Sequence, residues 1–331
     1  MTRSGILNLK YNYVRKIMSN TALSVADETT MKAKEELQAT FRVEQLPAMP
    51  HSALNVLQLD NDLSKVNIND LVRPIEADPG LTTQVLKFLN SAFFGFQNPV
   101  SSIKQGIALV GIRTVKNFVL WKAIFSLVPK TCDSTFDLKM LWQDSLRRAL
   151  FARLLVTQFG QDELDLAFAG GLLQDMAIPL LLKKKPQQMS MLIQEIKNTP
   201  EKRLSDLELD NLGWTHADAA EMMCISWKIP EDLRKLLANH TKIEPYVERP
   251  ADNPEQLVVS LSALLPSVTS NHWFEEDKLS YYMNLVFPTQ PTLLEDIFSQ
   301  VDQEFDQFAS VLQISKPKTS LNSVLSSTKK N

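Results

Sequence analysis

Glycine is scarce in this chain, nine in 331 residues, and strand-like runs of Val, Ile and Thr are few. Both shortages point away from sheets. No P-loop, GxGxxG, HExxH or GxSxG is present, which removes the common nucleotide, zinc-protease and serine-hydrolase motifs. The two cysteines, Cys132 and Cys224, have no CxxC spacing, so neither a disulfide framework nor a thiolate metal site is built from them. That usage fits a reducing compartment, and a cytoplasmic location is expected. No apolar run near the basic N-terminus reaches signal-peptide length, and no uncharged apolar stretch is long enough to span a bilayer, so no membrane partner is expected. Acid is missing from one region altogether. Between Asp78 and Asp133 the chain has six basic residues and no acidic one, leaving 29 basic against 38 acidic residues elsewhere. Such asymmetry suits an anionic ligand or acidic partner, although a solvated face of accidental sign explains it as well. A net charge of −3 argues against a dedicated nucleic-acid binder.

Helical periodicity is what the chain has in abundance. With 44% hydrophobic and 22% charged residues it can bury a sizeable core. Residues 1–26 fit a strand or a helix face, a basic amphipathic arm or a mobile terminus, and helix-forming composition follows from Thr29 to Phe41. Helices are then expected near 51–60, after the caps Asn67 or Asn69, after Asp78-Pro79, and after Ser101-Ser102. The last of these, hinged at Gly111, resembles a helix-turn-helix over 101–128. Val115, Phe118, Val119, Leu120 and Trp121 make its second helix too apolar for a DNA groove, so a buried hairpin is the better reading. Pro129 to Ser134 is a joint. Beyond it, Leu166–Leu182 reads as one helix apolar on every face, Ser205 with Glu208 as a capping box, 244–256 as loop, and Leu294–Leu312 as an amphipathic helix. Residues 315–331, rich in Ser, Lys and Thr, read as disordered. The fold class is all-α.

The apolar stretch 166–182 carries one central acid, Asp175, beside Gln174. A charge there needs a partner, a hydrogen bond or a metal, and an Asp capping a neighbouring helix is the plainer account. Of only four histidines, His51 and His272 lie in loop-like settings, whereas His216 and His240 can converge with Asp175 as ligands for Zn, Mn or Fe. Separate structural roles for the three are the alternative.

Several motifs occur together in order: Leu46-Pro47-Ala48-Met49-Pro50, Asp78-Pro79-Gly80-Leu81, Asn90-Ser91-Ala92-Phe93-Phe94-Gly95 and Pro99-Val100-Ser101-Ser102-Ile103 with Gln105, Ile107 and Gly111. Leu141-Trp142, Ala167–Leu173, Glu208 with Gly213 and His216, and Trp227-Lys228-Ile229-Pro230 follow. Over about residues 41–245 the chain resembles the HDOD family, bacterial signalling output domains related to HD-type metal-dependent phosphohydrolases. The resemblance implies a two-lobed helical bundle whose second lobe is HD-like. Its implied divisions are an arm and helix (1–40), an N-terminal lobe (41–130), the HD-like lobe (138–245), a helical extension (246–314) and the tail (315–331).

It also implies where metal ligands would fall. The opening histidine maps near Asp144, the His-Asp doublet falls on Gln174-Asp175, His216 and His240 match later histidines, and the closing aspartate falls near Ser262 or Ala263. A carboxamide replaces an imidazole, and no carboxylate closes the set. The expectation is therefore a non-catalytic signalling output or adaptor protein with no cofactor. It would bind a signalling protein or a small anionic ligand, with Lys104, Arg113 and Lys116 as the contact surface. The alternative is a phosphohydrolase acting on a nucleotide or cyclic dinucleotide with a reduced ligand set of divalent metal.

Overall fold

In the computed structural model, the described residues are 30–328, apart from positions 43, 45, 58, 60–65, 92–93, 128–136, 161–163, 200, 269–272 and 313. The expected basic arm, the Pro129–Ser134 joint, Cys132 and His272 lie wholly or largely outside them. All regular structure among the described residues is helical. It comprises α1 (30–40), α2 (His51–Leu57), α3 (Ile68–Glu76), α4 (Pro79–Leu89), α5 (Ile103–Val110), α6 (Ile112–Leu127), α7 (Leu138–Val156), α8 (Leu164–Leu173), α9 (Ile178–Lys184), α10 (Pro186–Asn198), α11 (Leu204–Leu212), α12 (His216–Ser226), α13 (Glu231–Asn239), α14 (Glu244–Val247), α15 (Pro254–Ser262), α16 (Glu276–Val286), α17 (Leu293–Leu312) and α18 (Leu321–Thr328).

The first lobe, α2–α6, is set by short-range caps. Asn67 accepts from the Asn69 N–H at 2.9 Å and Ser102 from the Gln105 N–H at 3.2 Å. Asp78 accepts from the Leu81 N–H at 3.0 Å and from the Ser52 hydroxyl at 3.0 Å, tying α2 to α4. That backbone N–H holds the Asp78 carboxyl below its ordinary range. Gly111, at φ +89°, supplies the left-handed hinge between α5 and α6 that a side chain would strain. α6 is buried along Val115, Phe118, Val119, Leu120 and Trp121, as its apolarity demanded. Phe118 stacks on Phe88 at 4.2 Å, and Phe125 stacks on Trp142 of α7 at 3.6 Å, joining the lobes. Burial of Phe88 and Phe118 contributes about 1.5–3 kcal/mol each.

The second lobe is built round α7, against which α8, α15 and α17 pack. α8 comes closest because Gly171 has no side chain. A Cβ there would stand 2.7 Å from the Arg148 carbonyl oxygen and 2.8 Å from the Ala149 Cα. The expected helix over 166–182 is in fact two. Turn-like bonds from Met176 N–H to Leu173 O (2.9 Å) and Ile178 N–H to Asp175 O (3.1 Å) break it, and Pro179 starts the first turn of α9. The Leu164–Lys184 stretch has the length and mean hydropathy (1.4) of a membrane span, but 78% of that window is buried within the protein. Core burial accounts for its apolarity.

Three further expectations need correction. The capping box is not Ser205 with Glu208; Arg203 is the N-cap residue, its N–H donating to Asp206 at 3.0 Å, and Glu208 is buried. Residues 244–256 hold α14 and the start of α15 rather than an unbroken loop. The tail is ordered over 314–328. Gln143 donates to the Ser315 carbonyl at 2.6 Å, the buried Arg147 donates to the Thr319 carbonyl, and Asp302 caps α18 through the Leu321 N–H at 3.0 Å. Polar composition concealed a strap whose backbone carbonyls satisfy donors buried on α7.

Candidate functional site

Breaking the apolar stretch after Leu173 places Gln174 and Asp175 on a turn facing α7, α12, α13 and α15. Asp175 does converge with the two histidines. Its Oδ1 lies 3.5 Å from His216 Nε2 and 3.7 Å from His240 Nε2, and the two Nε2 atoms are 3.0 Å apart. All three residues are buried.

Each imidazole is oriented from behind. His216 begins α12, and its Nδ1 contacts Glu208 Oε2 at 2.6 Å while its backbone N–H donates to the same oxygen at 2.7 Å. His240, just after α13, donates from Nδ1 to the Leu237 carbonyl at 2.7 Å. A carbonyl only accepts, so in neutral His240 the Nε2 lone pair faces the site. Burial, followed by the His216 charge, holds the His240 pKa well below 6.5.

The other expected positions behave differently. Gln174 is fully buried and its Nε2 donates weakly, at 3.3 Å, to both the Gly171 carbonyl and the Ser262 hydroxyl. The place where the family resemblance would put a histidine therefore bonds, as a neutral group, to Ser262, one of the two residues near which the resemblance would put the closing aspartate. Asp144 does not join the triad. Its carboxylate accepts from the Ser267 hydroxyl at 2.6 Å and the Val268 N–H at 2.8 Å, and burial raises its pKa.

Of the surface cations, Lys104 and Arg113 are exposed, but Lys116 is buried, with its ammonium donating to the Leu59 carbonyl at 2.9 Å. It cannot belong to an open contact surface. Its place on the apolar side of α6 explains why.

Sequence reasoning missed Arg148, which forms an ion pair with Asp175 Oδ2. The one signal was a pair of adjacent arginines, Arg147 and Arg148, in the middle of α7. It also missed Arg203, held by Glu275 at 3.1 Å and donating to the Thr241 carbonyl at 3.1 Å, and it gave Glu208 no part in orienting His216. Arg148, Arg203, Asp175 and the two histidines line a cleft of about 220 Å³, together with Trp273, Phe274 and Glu275. Cys224 is buried, and desolvation pushes its thiol pKa up, so it is not a nucleophile.

The match to the HDOD domain covers residues 46–243. The chain belongs to the HDOD family. Among solved structures it is similar to an HDOD domain protein of unknown function from Geobacter sulfurreducens (TM-score 0.66, 19% identity, 86% of this chain and 99% of the other). A candidate phosphohydrolase from Shewanella amazonensis SB2B gives a TM-score of 0.63 at 19% identity, covering 84% of this chain and 98% of the other. A candidate signal transduction protein from Marinobacter aquaeolei VT8 gives 0.62 at 18% identity, covering 86% of this chain and 66% of the other. At these identities the likeness carries the fold, a two-lobed all-α bundle with an HD-like second lobe. A Treponema pallidum (strain Nichols) protein is 26% identical over 214 residues, 64% of this chain; the chain spans only 40% of that relative's length. The HDOD match includes Arg148, Gln174, Asp175, Glu208, His216 and His240, whereas Ser262 and the Trp273–Glu275 wall lie beyond it.

The residues of this HDOD chain do not fit the two-ion centre of an HD phosphohydrolase. Such a centre needs a bridging His-Asp pair and a closing carboxylate, and the chain offers a neutral Gln174–Ser262 contact at those places. Three donors 3.0–3.7 Å apart have the spacing of ligands round a single ion, given metal–ligand bonds of about 2.0–2.2 Å. Those three are Asp175, His216 and His240.

Proposed function

We propose that this protein is a non-catalytic signal-transduction output or adaptor protein, cytoplasmic and without a cofactor, which acts by binding a protein partner or a small anionic ligand. The observation that carries the reading is the Gln174–Ser262 contact. Two-ion hydrolysis requires charged or imidazole ligands at both places, because the ions must be held apart and a hydroxide positioned between them. A carboxamide facing a hydroxyl supplies neither charge nor a strong donor. The name borne by the Marinobacter relative, a candidate signal transduction protein, agrees with this reading. Lys104 and Arg113, exposed in the acid-free stretch, are the surface for an acidic contact.

One observation favours a second reading, a phosphohydrolase with a reduced ligand set acting on a nucleotide or cyclic dinucleotide. Asp175, His216 and His240 converge, and both imidazoles are oriented by Glu208 and the Leu237 carbonyl as metal-bound histidines usually are. Elemental mass spectrometry on protein purified without tag or chelator separates the two. Metal-free, folded protein that leaves a phosphoester panel unhydrolysed is the expected outcome. Near-stoichiometric Fe, Mn or Zn, lost together with phosphoesterase activity in Asp175→Ala, would replace the adaptor reading by the enzyme.

A further inference from the structure

Asp175 is shared between two environments. Oδ2 takes the Arg148 guanidinium, while Oδ1 faces the two imidazole Nε2 atoms. Arg148 stands on α7 at the point where Gly171 of α8 touches its backbone, so the base of the side chain is fixed relative to the turn carrying Asp175. Burial lowers the Arg148 pKa from its ordinary value and the nearby Asp144 charge partly offsets this, although the Asp144 carboxylate is itself engaged with Ser267 and Val268.

Electrostatics then decides what else the site can hold. Asp175 brings one negative charge and Arg148 cancels it; Arg203 and Glu275, on the same cleft, pair with each other, and Glu208 is engaged with His216 on the far side of the ring. An ion bound to Oδ1 at about 2.1 Å would stand within about 5 Å of the guanidinium. The buried surroundings screen that repulsion poorly. Arginine, unlike lysine, does not shed its proton to make way.

We propose that the Arg148 guanidinium is the resident cation of this pocket: it takes the charge of Asp175 and thereby keeps the Asp175–His216–His240 donors free of divalent ions. This rests on the non-catalytic reading above, in which a two-ion centre fails for want of ligands at Gln174 and Ser262. For a single ion the three donors remain in place with their orienting partners, and there the obstacle is a charge.

The test is titration of the full chain with Co²⁺, followed by calorimetry and visible absorption. Wild-type protein is expected to show no saturable binding, whereas Arg148→Gln gains at least ~100-fold in affinity from removal of the charge, with Co²⁺ bands that disappear when His240→Gln is added. Wild-type protein titrated at about pH 6 and about pH 8.5 serves as a second measurement, because histidine protons leave across that range and the guanidinium proton does not. Refusal of Co²⁺ at both values is expected; uptake only at the higher value would show that protons exclude the ion, and would overturn the proposal. A folded Arg148→Gln with no gain would overturn it too, leaving the adaptor reading intact. Stoichiometric metal in wild-type protein as purified would remove both.

Discussion

The two lobes bury different things. Of the fifteen polar or charged side chains buried among the described residues, the first lobe holds two, Ser91 and Lys116, and the other thirteen lie between Gln143 and Ser262. The first lobe is an apolar core with polar caps at its helix ends. The second lobe carries Asp175, Glu208, His216, His240 and Arg147 where water is excluded, with Arg148 beside them. Each such group lowers stability unless its partner is in place. A segment that keeps so many partnered charges is where a binding site is to be sought, whatever its chemistry has become.

The largest effect that sharpens this contrast is expected from Glu208→Ala. It removes the acceptor for both the ring and the backbone N–H of His216. Breaking a buried pair in this way costs about 3–5 kcal/mol, measured by chemical denaturation. A loss below about 1 kcal/mol would mean that the pair is not buried as described.

Acidification should come next. Burial keeps His240 neutral in the folded protein, with its pKa well below 6.5. Below pH 6.5 the unfolded chain therefore binds a proton that the folded chain refuses, so stability is full above that value and drains away as pH falls toward the folded pKa. In denaturation midpoints recorded across pH, His240→Gln should flatten the acid-side slope, and an unchanged slope would assign it to other groups.

The smallest change belongs to the first lobe. Lys116→Met exchanges one buried ammonium and its bond to the Leu59 carbonyl for an apolar side chain of similar length. Stability should stay within about 1 kcal/mol of wild type, again by denaturation. A loss as large as that of Glu208→Ala would erase the difference between the lobes.

How much could be read in advance follows the same division. Asn67, Asp78 and Ser102 announced their helices because a cap bonds to an N–H two or three residues away. The apolar face of α6 likewise announced its burial. Leu166–Leu182 looked continuous since hydrophobicity alone does not register the turn at Gln174–Ala177. The tail looked disordered because its value to the fold lies in backbone carbonyls offered to Gln143 and Arg147, which composition does not record. Within the pocket, Asp175, His216 and His240 could be named as a set, but Arg148, the orienting role of Glu208, and Asp144's engagement elsewhere could not.

The sequence by itself determined an all-α chain, most of its helix ends and the residue types available to the pocket, all of them consequences of neighbours within a turn or two. Tertiary structure alone decided which of those residues meet. Arg148 reaches Asp175 across 27 positions and Gln174 reaches Ser262 across 88, because α8 settles on α7 through Gly171 and α15 packs against both. Charge pairing depends on distances of a few ångströms, and those exist only once the helices have packed.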